Sequence, residues 1–312
     1  MKFKPSGKGT GFADDPRDGP PLREWLEYGW SQEAAIGEVE VEGAVARYRV
    51  WGRGAGDQDR QKPGLVFAHG FLAHAHWWDH IAPHFSAEYT PIAVDFTGFG
   101  DSDRRPSYSR MQYGREIAAA AANEGVGTID LVAHSFGSLS ALYIASQRPD
   151  LVRRVVIVDA HVFREERPRA PREGGPQERF YQSREEALAR YRLVPPGAWP
   201  HPDILAYFAR HSLRESEQGW NWKFDPAIVT RMAEEPMREA LHGLRVPVDY
   251  IHASRSEIAG SEEIEAFRRA LPTCGTPVTV ELSHHHIMIE QPVALVAALK
   301  GLLANPRQME EF

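Results

Sequence analysis

Cysteine is almost missing from this sequence. Cys274 is the single one in 312 residues, which excludes an intrachain disulfide and any metal motif built on two thiolates. Long apolar runs are missing as well. No stretch approaches 18 apolar residues, so no segment reads as a membrane span. The opening residues, Met1 to Pro5, are not followed by the apolar stretch of a secretory signal. A basic excess is lacking too: 36 Lys and Arg stand against 43 Asp and Glu, a formal net charge of −7. Such a balance provides no field for collecting nucleic acid or an anionic membrane. No internal repeat occurs, and the one low-complexity segment is the charged run 164–179. What remains is an ordinary globular composition, 42% hydrophobic and 25% charged. At about 150 residues per domain it allows one large domain or two modest ones. The expectation is a soluble, cytoplasmic protein with core enough for an enzyme.

Residues 1–35 read as an N-terminal extension. Pro5 to Leu22 is rich in Gly, Pro and Asp and reads as flexible, while Trp25, Tyr28 and Trp30 are expected to anchor the extension. Alternation over 38–42 and 46–51, joined through Gly43, predicts an antiparallel hairpin. Beyond the polar loop 52–63, short apolar runs alternate with helix-length segments. The expected strands are 65–68, 91–95, 129–134, 155–159, 246–251 and 278–282; the expected helices are 77–85, 110–123, 137–148, 262–271 and 292–304. Strands that are apolar throughout and alternate with helices predict a parallel sheet covered on both faces, an α/β fold. The alternation breaks once, where about 85 residues after Ala160 hold helical stretches, several prolines and no convincing strand. The organisation expected is a first core part over 36–160, a helical cap over 161–244 and a second core part over 245–312.

The most informative segment is Leu131-Val132-Ala133-His134-Ser135-Phe136-Gly137. An apolar strand runs into a small-x-Ser-x-Gly turn and then a helix, the context of a nucleophile elbow. Small residues flank the serine because the turn is tight. The following helix directs its N-terminal amides toward the hydroxyl. Ala133 stands where glycine is commoner and still supplies a small side chain.

With this segment, the sequence resembles the α/β-hydrolase family over roughly 36–304. Three further motifs match. His69-Gly70-Phe71 follows the strand 65–68 as the family's His-Gly oxyanion loop does; Asp95 to Ser102 is similar to its D-x-x-G-x-G-x-S turn; His285 precedes Glu290-Gln291-Pro292 as in H-x-x-x-x-E-x-P. The resemblance implies a doubly wound, mostly parallel sheet with an inserted helical cap, and acyl-transfer chemistry. Ser135 would be the nucleophile and His285 its base, with His284 and His286 as competitors that the spacing to Glu290 disfavours. The amides of Phe71 and Phe136 would hold the oxyanion. Most of the family carries its acid after the penultimate strand, where this chain has Ser256. Two carboxylates are left, Asp159 at the end of the strand after the nucleophile helix and Glu257 one residue late. Asp159 is favoured, because some branches of the family place the acid at that strand end.

Aromatics of the insertion, Trp199, Trp220 and Trp222 among them, are expected to line an apolar substrate pocket or to form the cap's own core. His69, Gly70, His134 and Met288 are placed with the pocket, and Trp77 and Trp78 as further walls. His76, His80 and His84 recur at i, i+4, i+8, and with His74 invite a metal reading. Asp79 is placed on another helical face, so no metal and no cofactor is expected. The function this implies is hydrolysis of a small hydrophobic carboxylic ester or lactone, with no nucleic-acid or membrane partner. Carbon–carbon bond hydrolysis of a diketone-like ring-fission product is the alternative, favoured by charged cap residues facing the pocket. A non-catalytic ligand-binding relative is the alternative of another class. Epoxide hydrolases and haloalkane dehalogenases attack with Asp, which Ser135 does not supply. An oligomer is neither indicated nor excluded.

Overall fold

A computed structural model describes residues 20–52, 62–162, 177–197, 199–241 and 244–304. The chain starts with helix α1 (Pro20–Ser31) and the strands β1 (Ala35–Val41) and β2 (Ala44–Val50). These pair antiparallel from Ala35↔Val50 to Val41↔Ala44. Their turn is Glu42-Gly43 at φ 50° and 78°, left-handed backbone that matches the twist of a two-residue hairpin. Then follow β3 (Gly64–Ala68), β4 (Thr90–Asp95), α2 (Arg110–Asn123), β5 (Ile129–His134), α3 (Ser138–Gln147) and β6 (Val152–Val158). An inserted segment carries α4 (Arg184–Leu188), α5 (Pro202–His211), β7 (Leu213–Ser216), β8 (Gly219–Trp222), α6 (Ile228–Arg231) and α7 (Met237–Ala240). The sheet resumes with β9 (Val248–Ala253), α8 (Ser261–Ala270), β10 (Val278–Val280), α9 (Ile287–Glu290) and α10 (Pro292–Ala304).

Eight strands form one sheet in the order β1-β2-β4-β3-β5-β6-β9-β10, antiparallel only at β1–β2 and β2–β4. Every residue of β3, β4 and β5 is buried, as strands covered on both faces require. One face packs around Phe96, Tyr108, Tyr113 and Leu142, the other around Phe67, Trp78, Phe85 and Leu299. From β3 the sheet grows one way through β4 and the other way through β5. The crevice at such a switch point lies beyond the carboxyl ends of the strands, and both the His69-Gly70-Phe71 loop and Ser135 fall there.

Two expectations are corrected. The helix expected over 77–85 is two 3-10 turns, Ala75–Trp78 and Ala82–Phe85. Pro83 has no N–H to donate back to Asp79, so a continuous α-helix is interrupted. His76, His80 and His84 therefore share no helical face, and Asp79, placed away from them by helical geometry, accepts from His76 Nδ1 at 2.7 Å. The inserted segment contains a hairpin, β7–β8, where no strand was expected; Gly219 at φ 114° closes it. Residues 20–31 of the extension are helical, with Leu26 buried, Trp25 stacked on His84 and Trp30 on Tyr207. The flexible reading of Pro5 to Leu22 and the charged run 164–179 lie largely outside the described residues.

Asp79 fastens the inserted segment to the sheet. Its carboxylate accepts from Arg49 Nε of β2 at 2.8 Å, from His76, and from Tyr207 OH of α5 at 2.6 Å. Burial alone would raise its pKa. The His76 bond, the Arg49 charge and the Tyr207 hydroxyl outweigh burial and hold the carboxyl below its ordinary value. A depressed folded-state pKa contributes stability above the unfolded value, near 3.9, and the contribution is lost as pH falls through the folded value. Asp79→Asn is expected to destabilise the protein by about 3 kcal/mol at pH 7, since it leaves a mostly buried guanidinium without its countercharge. The gap between wild type and variant in urea midpoints should narrow below about pH 4. A gap unchanged down to pH 2.5 would contradict this account of Asp79.

Candidate active site

The Ser135 side chain owes its position to a strained turn. β5 ends at His134, a 3-10 turn spans Ser135–Gly137 and α3 begins at Ser138. Ser135 has φ 49°, a left-handed conformation that side chains rarely adopt and that turns its hydroxyl out of the sheet. Gly137 is required beside it: a Cβ there would lie 2.8 Å from the His69 carbonyl oxygen. Gly70 is required opposite, where a Cβ would lie 2.6 Å from His134 Nδ1.

His285 stands in the loop between β10 and α9. Its Nε2 lies 2.9 Å from Ser135 Oγ and its Nδ1 lies 2.8 Å from Asp159 Oδ2. A carboxylate only accepts, so Nδ1 carries the proton and Nε2 accepts from the hydroxyl. Asp159 follows β6, also with positive φ (42°), and has no exposed surface. Its other oxygen takes the amide of Ala253 at 3.1 Å, and Ser256 Oγ donates to Oδ2 at 2.7 Å. Glu257 is exposed, and among the described residues Asp159 is the carboxylate bonded to His285.

Neighbouring imidazoles hold the loop. His134 Nε2–H donates to the His285 carbonyl at 3.0 Å, and His286 Nε2–H donates to the Pro195 carbonyl at 3.1 Å. Burial, then the adjacent His285, pushes His134 well below its ordinary pKa and His286 down to about 3, so both are neutral bases. His284 donates its amide to Glu290 Oε2 at 2.6 Å and its ring Nδ1–H to the same oxygen at 3.0 Å. His69 is pushed down to about 4 by burial; its Nδ1–H meets the Gly70 carbonyl, and Nε2 accepts from the Phe96 amide at 3.2 Å. It thus pins the end of β3 to the end of β4. The Asp95 turn is explained similarly: Gly100, at φ 54°, lies where a Cβ would strike the Asp95 carboxylate.

The amides of Phe71 and Phe136 come from the two sides of the switch point. Neither donates a hydrogen bond within the described residues. Their rings pack at 5.6 Å between centroids. On the Phe71 side, and not lined by Ser135 or His285, lies a cavity of about 150 Å³ lined by Phe71, Leu72, Trp77, Leu193, Trp222 and Phe224, with Ser212, Arg190, Tyr191, Arg192 and Val194 completing its wall. Of the residues expected at a pocket, Trp77 and Trp222 line this cavity. Trp220 packs with Tyr181, Ala187 and Leu213 in a small core of the inserted segment. Trp199 is 46% exposed between His284 and Arg255. Met288 and Trp78 are buried in the sheet's second core, and His69, Gly70 and His134 support the turn from beneath. Of the four histidines considered for a metal, His74 bonds Ser212 Oγ at 2.8 Å, His80 bonds the Met288 carbonyl and His84 stacks on Trp25. Among the described residues, the histidines whose ring nitrogens approach one another are instead His134, His285 and His286, within 4.8 Å. A cation there would compete with the bonds His285 makes to Ser135 and Asp159.

A hydroxyl, a neutral imidazole and a buried carboxylate in series, with two unused amides nearby, can activate an oxygen nucleophile and receive an oxyanion. The chain matches the Alpha/beta hydrolase family over residues 65–299, and it belongs to that family. It is an enzyme of the α/β-hydrolase class. It is 28% identical to an esterase of Mycobacterium tuberculosis, Rv0045c, over 276 residues, 84% of this chain and 87% of that protein. The solved structure of that esterase superposes with a TM-score of 0.68 at 23% identity, covering 95% of this chain and 100% of the other. A thioesterase domain from the curacin biosynthetic pathway superposes with a TM-score of 0.70 at 21% identity, covering 87% and 99%. A pyrrolizixenacetamide deacetylase of Xenorhabdus hominickii is 32% identical over 127 residues, 40% of this chain and 45% of that protein.

Gly137→Ala is expected to lower stability by about 1–3 kcal/mol through the clash with the His69 carbonyl. Gly127→Ala, where nothing lies within 4 Å, is the control and should be close to neutral. Equal thermal midpoints for the two variants would refute the tight-turn account.

Proposed function

We propose that this protein is a serine hydrolase of carboxylic esters carrying short, apolar acyl groups. The observation that carries the reading is the unbroken line of hydrogen bonds from Ser135 Oγ through His285 to Asp159, 2.9 and 2.8 Å long. Ser135 Oγ attacks the ester carbonyl while His285 Nε2 takes its proton. The carbonyl oxygen, now an anion, is held by the Phe71 and Phe136 amides. Collapse of the tetrahedral species breaks the C–O bond to the alcohol, which leaves with the proton from Nε2, and an acyl group remains on Ser135. Water, deprotonated by His285, attacks this acyl-enzyme and releases the acid. Asp159 keeps the proton of His285 on Nδ1 and compensates the charge of the imidazolium. The esterase relative supports ester cleavage as the reaction. The inserted segment, here a cap, supplies Leu193, Trp222 and Phe224 to the cavity wall.

A cavity of about 150 Å³ accommodates roughly a six-carbon group. Among p-nitrophenyl esters, kcat/KM is therefore expected to be highest for acyl groups of about four to six carbons and to fall at least about tenfold at twelve. Equal rates for butanoate and dodecanoate would contradict this. Arg190 and Arg192 on the same cavity wall favour, as a second reading, carbon–carbon bond hydrolysis of a diketone-like ring-fission product that bears a carboxylate. Both side chains are exposed, so ester cleavage is kept as the first. Turnover of a vinylogous diketo-acid with no turnover of esters would reverse that order.

A fluorophosphonate probe is expected to label the wild type and not Ser135→Ala. An unlabelled wild type that turns over no ester would sink the hydrolase reading in favour of a ligand-binding relative. Asp159→Asn should lower kcat by about 10⁴, because the wrong imidazole tautomer is then favoured. Glu257→Gln should leave kcat within about twofold, as expected for an exposed surface charge.

A further inference from the structure

The oxygen of Asp159 that holds His285 is shared. Oδ2 accepts from His285 Nδ1 at 2.8 Å and from Ser256 Oγ at 2.7 Å. Ser256 lies in the loop after β9, and its hydroxyl is fully committed: it accepts the amides of Ile258 and Ala259, each at 3.1 Å. Both lone pairs are thereby used, so the hydroxyl hydrogen has one remaining direction, toward the carboxylate. A serine that merely shaped the turn before α8 would need only the two accepted bonds.

We propose that Ser256 is a positioning residue for His285, its hydroxyl orienting the Asp159 carboxylate and drawing off part of that carboxylate's pull on the imidazole Nδ1–H. The inference rests on reading Ser135, His285 and Asp159 as the reacting series. Two donors on one oxygen compete for its electron density. Each weakens the other's bond, and together they fix the plane of the carboxylate. Ser256 stands where the resemblance to most of the family would place a carboxylate. Here the acid comes from β6 and the loop contributes a hydroxyl donor to it. The exchange gives each oxygen of a carboxylate with no exposed surface a donor, from β9 itself or from the loop after it.

Removing the hydroxyl should leave Asp159 a stronger acceptor for Nδ1–H and a better counterion for the imidazolium. The groups that face the pair limit what else can titrate. They are His134 from β5, His286 from the same loop and Tyr250 from β9, with Arg255 and Glu257 flanking Ser256 and Glu290 engaged by His284. Burial, then the neighbouring imidazoles, keeps His134 and His286 neutral, and burial pushes the Tyr250 phenol up. None of these three changes charge between roughly pH 5 and 9.

The test is the low-field proton resonance of His285 Nδ1–H in the full-length protein, assigned by its loss in His285→Gln and its displacement in Asp159→Asn. In Ser256→Ala it is expected to move downfield, and the acid limb of kcat/KM for p-nitrophenyl butanoate to move up by about half a pH unit. Ser256→Thr should restore the wild-type resonance and pH profile. Ser256→Cys, a weaker donor of similar shape, should move both in the same direction as alanine and by less, which keeps the test open if the alanine variant does not fold. An unmoved resonance in the folded alanine or cysteine variant would overturn the proposal. The resonance needs no substrate, so a wild type without turnover would defeat the hydrolase reading and still leave this inference decided.

Discussion

A carboxylate with no exposed surface sits at the carboxyl end of β6, and the geometry around the site follows from satisfying it. Leaving an ionised group in so dry a place without partners would cost several kcal/mol. Asp159 meets the requirement with three donors, one from β9, one from the loop after it and one from the loop after β10. Three consecutive strands of one edge of the sheet are thereby brought into register at their carboxyl ends. The His285 bond fixes the tautomer of the imidazole, and the other two hold the carboxylate so that Nε2 faces Ser135.

Backbone strain appears where the chemistry requires it. Ser135 and Asp159 stand at the ends of adjacent parallel strands, β5 and β6, and both have positive φ. An extended residue at either position would continue its strand and point its side chain into one of the two covered faces. The left-handed turn lifts each side chain over the sheet's edge instead. Such conformations persist only when the surroundings over-determine them. Here the surroundings are close-packed: Gly137 against the His69 carbonyl, Gly70 against His134, and Asp159 N–H bonded to the Ile251 carbonyl at 2.8 Å.

How far all this could be read from the sequence depended on the range of the interaction. Local patterns carried the alternation of strands and helices, the elbow at Ser135 and the hairpin through Gly43. The choice of Asp159 over Glu257 rested on a departure, Ser256 where much of the family has its acid, and the geometry makes that serine a partner of Asp159. In the sequence alone, Ser256 is informative only for the charge it lacks. Contacts of long sequence separation stayed hidden. Asp79 bonds residues 30 and 128 positions away, and nothing in its neighbourhood signals either partner. Helical periodicity over His76, His80 and His84 misled because Pro83 interrupts the turn that would have aligned them. The β7–β8 hairpin was missed because its strands are four residues each and largely polar or half-buried, with no alternation long enough to count.

The loop that carries His285 is anchored as much by the inserted segment as by the sheet. His286 reaches the Pro195 carbonyl, the amide of Trp199 donates to Glu290 Oε1 at 3.2 Å, and the amide of His201 donates to the Ile289 carbonyl at 3.3 Å. The stretch 193–201 that makes these bonds also begins, at Leu193 and Val194, on the wall of the cavity. The cavity wall at Leu193 and Val194 thus lies only a few residues along the chain from the anchors of His285. Glu290 makes the connection stiff. It is buried, accepts from both sides, and leaves so little room at Gly197 that a Cβ there would lie 2.9 Å from its Oε1. In the motif H-x-x-x-x-E-x-P the glutamate thus has a mechanical role in this chain. It ties the peptide before His285 to the inserted segment, beside the bonds that His286 and His201 make to the same effect.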